Sequence, residues 1–180
     1  MRRVAVMGGS CTGKTTVSRG LAAALGVPHV ELDALHHDPG WQEASAEVFQ
    51  ARVRAAFDAS PDGWVADGNY RSKLGSLVLE RADTVVILET PFHVAFGRAL
   101  RRTITRTITR EELWNGNRER IRHLFTRYWI PWWVLRTHRR YARAIPKRVA
   151  EHPHLDVVHV KTPREVADLL DSIEPWAARV

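Results

Sequence analysis

Met7-Gly8-Gly9-Ser10-Cys11-Thr12-Gly13-Lys14-Thr15 is the stretch whose reading decides the fold. Residues 8–15 match G-x-x-x-x-G-K-S/T without a mismatch, a pattern that is informative only where a strand precedes it and a helix follows. Both are expected here. Arg3 to Met7 is a short apolar run that reads as a strand, and Lys14 to Leu25 has helical periodicity closed by Gly26 and Pro28. The spacing has a physical reason. Gly8 and Gly13 let the backbone turn tightly, so that successive N–H groups point inward, and the helix starting near Lys14 adds the positive end of its dipole. A loop so built is a cradle for phosphate oxygens, and the alternative is a glycine-rich turn with no ligand.

The cradle predicts ATP with Mg²⁺. Gly8, Gly9, Ser10, Cys11, Thr12, Gly13, Lys14, Thr15 and Thr16 would surround the phosphates, with Lys14 on the β and γ groups and the Thr15 hydroxyl on the metal. Cys11 reads as a filler position in a loop that binds through its backbone, a redox role being the alternative. Two carboxylates extend the site. Asp33 is read as ending the second strand and Asp67 the third, and ligands of open parallel sheets sit beyond the carboxyl ends of their strands. One would hold Mg²⁺, with Asp67 the choice beside Thr15, and the other would orient or deprotonate an attacking hydroxyl. Capping and turn formation are the alternative roles of an Asp in such places.

Outward from the loop, β-like runs alternate with helical stretches, the pattern of an α/β fold with a parallel sheet. Further strands are predicted at His29–Leu32, Trp64–Ala66, Thr84–Leu88 and Leu155–Val160. Helices are predicted at Ala44–Ala59, Arg71–Arg81, Phe92 to about Thr109, Arg118 to about Arg143 with a kink at Pro131, and Pro163–Ser172. No repeat or linker interrupts them, so residues 1–180 are expected to form a single domain of three layers.

Composition narrows the function classes. The longest apolar run, Tyr128 to Leu135, has eight residues, far short of the roughly 20 of a membrane span, and no signal-peptide core follows Met1. The single cysteine, Cys11, excludes an internal disulfide and suits a reducing compartment, so the expected location is the cytoplasm. Net charge is +7, but residues 98–148 alone hold fourteen Arg and one Lys against three Glu, leaving the remainder acidic. Arg98, Arg102, Arg106 and Arg110 recur every fourth residue and form one stripe on a helix. Such a stripe either closes on a polyphosphate, making roughly 98–122 a lid with Arg102 and Arg118 as its main contacts, or holds a nucleic-acid backbone, or is simply solvated. His36 and His37 are candidates for acceptor binding. Phe125, Trp129, Trp132 and Trp133 are expected to form the packing face of their helix, and Lys161-Thr162-Pro163 to sit near the adenine.

Asp67-Gly68-Asn69-Tyr70 resembles the Asp-Gly-Phe-Pro signature of adenylate kinases, placed likewise after the third strand. The chain is thus similar to the adenylate-kinase-like (nucleoside monophosphate kinase) superfamily. Within it, Leu32 to His37, Pro39-Gly40-Trp41, Asp67 to Tyr70 and Trp114 to Glu119 resemble small bacterial topology modulation or FlaR-like proteins. The resemblance implies a five-stranded parallel core of order 2-3-1-4-5 and a mobile lid after the fourth strand. It also implies transfer of the γ-phosphoryl group of ATP to a small acceptor. A nucleotide or nucleoside leads as acceptor; a small metabolite and a nucleic-acid-associated ATPase are the alternatives. Asn69-Tyr70 in place of Phe-Pro is the departure from true adenylate kinases.

Overall fold

The computed structural model describes residues 1–109, 114–117 and 129–173. Strand β1 (Arg3–Gly8) runs into the glycine-rich loop and on into α1 (Lys14–Leu25), then β2 (His29–Glu31) and the short α2 (Leu32–His36). A small antiparallel hairpin, β3 (His37–Asp38) and β4 (Gln42–Glu43), precedes α3 (Ala46–Asp58) and β5 (Trp64–Asp67). Next come α4 (Arg71–Leu74), α5 (Leu77–Arg81), β6 (Thr84–Leu88) and α6 (Phe92–Thr109), then α7 (Ile130–Ala150), β7 (Asp156–Val160) and α8 (Pro163–Asp171).

The main sheet has the order β2-β5-β1-β6-β7, every pair parallel. Counted along the chain this is the expected 2-3-1-4-5. Alternation along the strands splits the core into two layers, because successive side chains point to opposite faces. Val4, Val6, Val65, Val86 and Leu88 pack against Leu21 and Leu25 of α1 and Leu170 of α8. Ala5, Met7, Trp64, Val85 and Ile87 pack against Phe49 and Phe57 of α3 and Ile145 and Val149 of α7. Phe57 and Trp64 stack face to face with ring centroids 3.8 Å apart.

Register brings the strand ends together. Gly8 lies beside Leu88, and Asp67 lies between Val6 and Glu31, so the loop and two carboxylates share one edge of the sheet.

Four expectations are corrected. The second strand stops at Glu31, and Asp33 belongs to the first turn of α2, two residues past the strand's end. The helix expected over Arg71–Arg81 is two, because Gly75 takes a left-handed φ of 56° that closes α4. Pro131 does not kink a helix. It stands in the first turn of α7, where its missing N–H costs nothing, and α7 continues to Ala150. Trp132 and Trp133 are each 44% exposed, while Val134, Thr137, Ile145 and Val149 form the buried face of α7. The helical spacing of the aromatic residues was real, but the stripe one residue out of phase faces the core. Phe125 lies outside the described residues. Among the described residues, no helix is long and apolar enough to cross a membrane.

Candidate functional site

The loop between β1 and α1 is shaped by residues that could not easily be replaced. A Cβ on Gly8 would lie 2.7 Å from Thr12 Oγ1 and 3.1 Å from Leu88 O, so only glycine fits against β6. Gly13 caps α1 with φ 102°, a conformation that side chains resist, and leads directly into Lys14. Cys11 adopts φ 60° and is half-buried. Within the loop, the Thr12 hydroxyl donates to the Gly9 carbonyl at 2.9 Å.

Lys14 folds back over this loop. Its ammonium donates to the carbonyls of Gly9 at 2.8 Å and Gly8 at 3.2 Å. Burial holds its pKa below the ordinary value, while the negative charges of Asp33 and Asp67 pull the other way. Asn69 also donates to the Gly8 carbonyl from the far side. The loop is therefore pinned by a cation and an amide on carbonyls, which leaves its N–H groups for an incoming anion.

Asp67 is 4% exposed and accepts from the Thr15 hydroxyl at 2.9 Å, with His29 Nε2 3.4 Å from its other oxygen. Hydroxyl and carboxylate oxygens at this spacing are the hard donors that Mg²⁺ prefers. Asp33 accepts from the Tyr70 hydroxyl at 2.5 Å. Burial and then the Asp33 charge push the Tyr70 phenol far above its usual value, so it stays a donor.

From α6, Arg98 donates to the Thr12 carbonyl at 3.0 Å, and the Thr90 hydroxyl reaches the same oxygen at 3.1 Å. A cavity of about 770 Å³ lies between these elements. Ser10 to Thr16 without Thr12, Asp33, Asp67 and the stripe Arg98, Arg102 and Arg106 all line it. The fold thus brings Lys14, Asp33, Asp67 and Arg102 to one space. Arg110, Arg118 and Arg122 lie outside the described residues.

Other expected contacts separate. His37 lines the cavity, whereas His36 is 4% exposed and packed against Phe49 and Tyr70. Burial holds its pKa low. Lys161-Thr162-Pro163 begins α8, with Thr162 capping it, and is not part of the cavity wall. Several participants were missed: Glu31, Trp41 and Trp114 on the wall, Asn69 on the loop, and Tyr70 on Asp33. Asn69-Tyr70 carried a signal as the departure from Phe-Pro, and Trp41 and Trp114 stood in segments that carried the resemblance, but their place on the wall depends on contacts such as Trp41 to Asn117 across 76 positions.

No family model matches the chain, and no curated protein matches it in sequence. Solved structures do match in fold. A shikimate kinase from Acinetobacter baumannii, solved in complex with shikimate, is 18% identical with a TM-score of 0.55, over 96% of this chain and 90% of that one. A shikimate kinase from Bacteroides thetaiotaomicron is 13% identical with a TM-score of 0.52, over 94% of each chain. The chain shares the fold of these two proteins.

Proposed function

We propose that this protein transfers the γ-phosphoryl group of ATP to the hydroxyl of a small metabolite. The observation that carries the reading is the shared cavity. Most of the phosphate cradle, a hydroxyl–carboxylate pair suited to Mg²⁺, a second carboxylate and a stripe of arginines face one space of about 770 Å³. The fold neighbours are kinases of one small molecule, shikimate, which favours a metabolite acceptor over the nucleotide that leads from sequence.

Each residue then has a task. The N–H groups of residues 9–15 hold phosphate oxygens, and Lys14 leaves the Gly8 and Gly9 carbonyls for the β and γ phosphates. Thr15 and Asp67 would hold Mg²⁺, which when bound would offset charge on the phosphates. Asp33, with one oxygen on Tyr70, uses the other to orient the acceptor hydroxyl and take its proton. Arg102, and Arg98 once it releases Thr12, stabilise charge on the transferring group, and closure of α6 on the nucleotide excludes water.

Lys14→Ala tests this directly. The folded variant should lose ATP turnover, because its side chain projects into the phosphate site without supporting the core. Turnover retained in a folded Lys14→Ala protein would remove the basis for the assignment.

One observation favours a second reading, a nucleic-acid-associated ATPase. Helix α7 carries Arg136, Arg139, Arg140, Arg143 and Lys147 on its exposed side with no acid, and exposes Trp132 and Trp133 in its first turn. Cations and accessible aromatic rings suit phosphates and bases. Binding through several phosphates would weaken steeply with salt, which a titration of single-stranded DNA or RNA would reveal.

A further inference from the structure

The cavity ends, away from the loop, in a corner of aromatic rings. His37 stacks toward Trp114 with centroids 6.1 Å apart and planes 20° apart, and meets Trp41 edge-on at 5.5 Å. All three line the cavity and none is buried. The corner is assembled from segments more than 70 residues apart, and two asparagines hold it. Asn117, 3% exposed, accepts from the Trp41 N–H at 2.8 Å and donates to the Asp38 carbonyl at 3.0 Å. Asn115 donates to the carbonyls of Ala34 at 3.1 Å and His37 at 2.5 Å. Trp41 itself sits at φ 61°, a conformation a bulky residue resists. Half-exposed rings held over an open cavity by a strained backbone and dedicated side-chain bonds are better suited to contact a ligand than to fill a core.

The charges nearby restrict that ligand. Glu31 and Asp33 line the same cavity, and Asp67 stands beside Glu31 in the sheet. Of the cations on the wall, Lys14 and Arg98 bond loop carbonyls, Arg102 stands close enough to Lys14 to oppose its charge, and Arg19 lies 3.9 Å from Glu31, with Arg106 beside the other arginines of α6. An acceptor bearing phosphate or carboxylate next to its reacting hydroxyl would set like charge against Asp33, and against the part of the Glu31 charge that Arg19 does not offset. Hydroxyl groups would instead donate to them, and a ring face would lie on the indoles.

We infer that this corner receives an uncharged, ring-bearing alcohol, of the sugar or nucleoside kind, as the phosphoryl acceptor. The inference rests on the kinase reading above. The acceptor oxygen forms a bond to the γ-phosphorus of ATP as the bond from that phosphorus to the β–γ bridging oxygen breaks. The hydroxyl proton passes to Asp33, and ADP and the phosphorylated alcohol leave.

Calorimetry on the whole chain tests it in two stages. ATP binding is measured first. Then, with a non-hydrolysable ATP analogue bound, pentoses, hexoses and nucleosides are titrated beside their own monophosphates and beside shikimate. A neutral sugar or nucleoside should bind at least about tenfold more tightly than its phosphate. Trp41→Ala and Trp114→Ala should each weaken it about tenfold or more, leave ATP affinity within about twofold, and Trp41→Phe should restore part of the loss. Preferred binding of the anionic partner, no binding by any neutral member at millimolar concentration, or unchanged affinity in both Ala variants overturns the inference while the kinase reading stands. Failure of the wild-type protein to bind ATP overturns both.

Discussion

Asp67 and Asp33 are both carboxylates at the rim of the same cavity, yet their surroundings assign them different work. Asp67 is nearly inaccessible and grips the Thr15 hydroxyl, whereas Asp33 lies in the first turn of α2 and is held by Tyr70. Their substitutions should therefore leave different signatures. Asp67→Asn should lower turnover at least tenfold, about 1.4 kcal/mol of barrier, and raise the Mg²⁺ concentration needed for half-maximal rate. Asp33→Asn should cost at least as much in turnover with the Mg²⁺ dependence unchanged. Rates measured across a magnesium titration separate the two, and normal turnover in both variants would reduce the carboxylates to structural roles.

At the scale of the element, α6 decides the outcome. It begins after Pro91 and carries Arg98, Arg102 and Arg106 along one side of the cavity, while Ala95 and Ala99 give it a thin, close seat against Val134 of α7. Small residues on the packed side allow the helix to approach the loop closely enough for Arg98 to reach Thr12. If α6 closes on nucleotide, Arg102→Ala should reduce turnover more than it weakens ATP binding, because the developing charge is greatest in the transition state. Hydrogen exchange over residues 98–109 should slow when a non-hydrolysable ATP analogue binds. Unaltered kinetics together with unaltered exchange would leave the arginines as a solvated face, and would strengthen the nucleic-acid reading of α7.

For the whole molecule, His36 links the hairpin region to acid stability. It is packed among Phe49, Tyr70 and His37, with Glu43 Oε2 3.6 Å from Nε2 and Lys73 near enough to oppose its protonation. Burial lowers its pKa from the ordinary 6.5, so the unfolded chain binds a proton more readily than the folded one. Its contribution is complete above that value and is lost as pH falls below it toward the folded pKa. Denaturant unfolding should show wild type losing stability as pH falls below about 6.5, and His36→Phe, which keeps a ring there, should flatten that limb. Parallel pH profiles in the two proteins would show that other groups govern the acid transition.

The sequence by itself determined the loop and the parallel sheet, while the strand order was implied by the resemblance to the adenylate-kinase-like superfamily. Loop and sheet rest on local information: the spacing of Gly8, Gly13 and Lys14, and short apolar runs separated by helical ones. Asp67 was legible because it ends a strand in register with the loop's own strand. Element ends were less so, since Gly75 and Pro131 act through φ and the first helical turn, which a periodic pattern does not resolve. Tertiary structure alone decided what surrounds the site. Tyr70 reaches Asp33 across 37 positions, and Asn117 reaches Trp41 across 76. Nothing in Asn115-Gly116-Asn117 distinguishes a turn from a clasp until the chain folds back over residues 34–41. Which face of α7 is buried was likewise set by the sheet beneath it, because an aromatic stripe and an aliphatic one, a residue apart, have the same period.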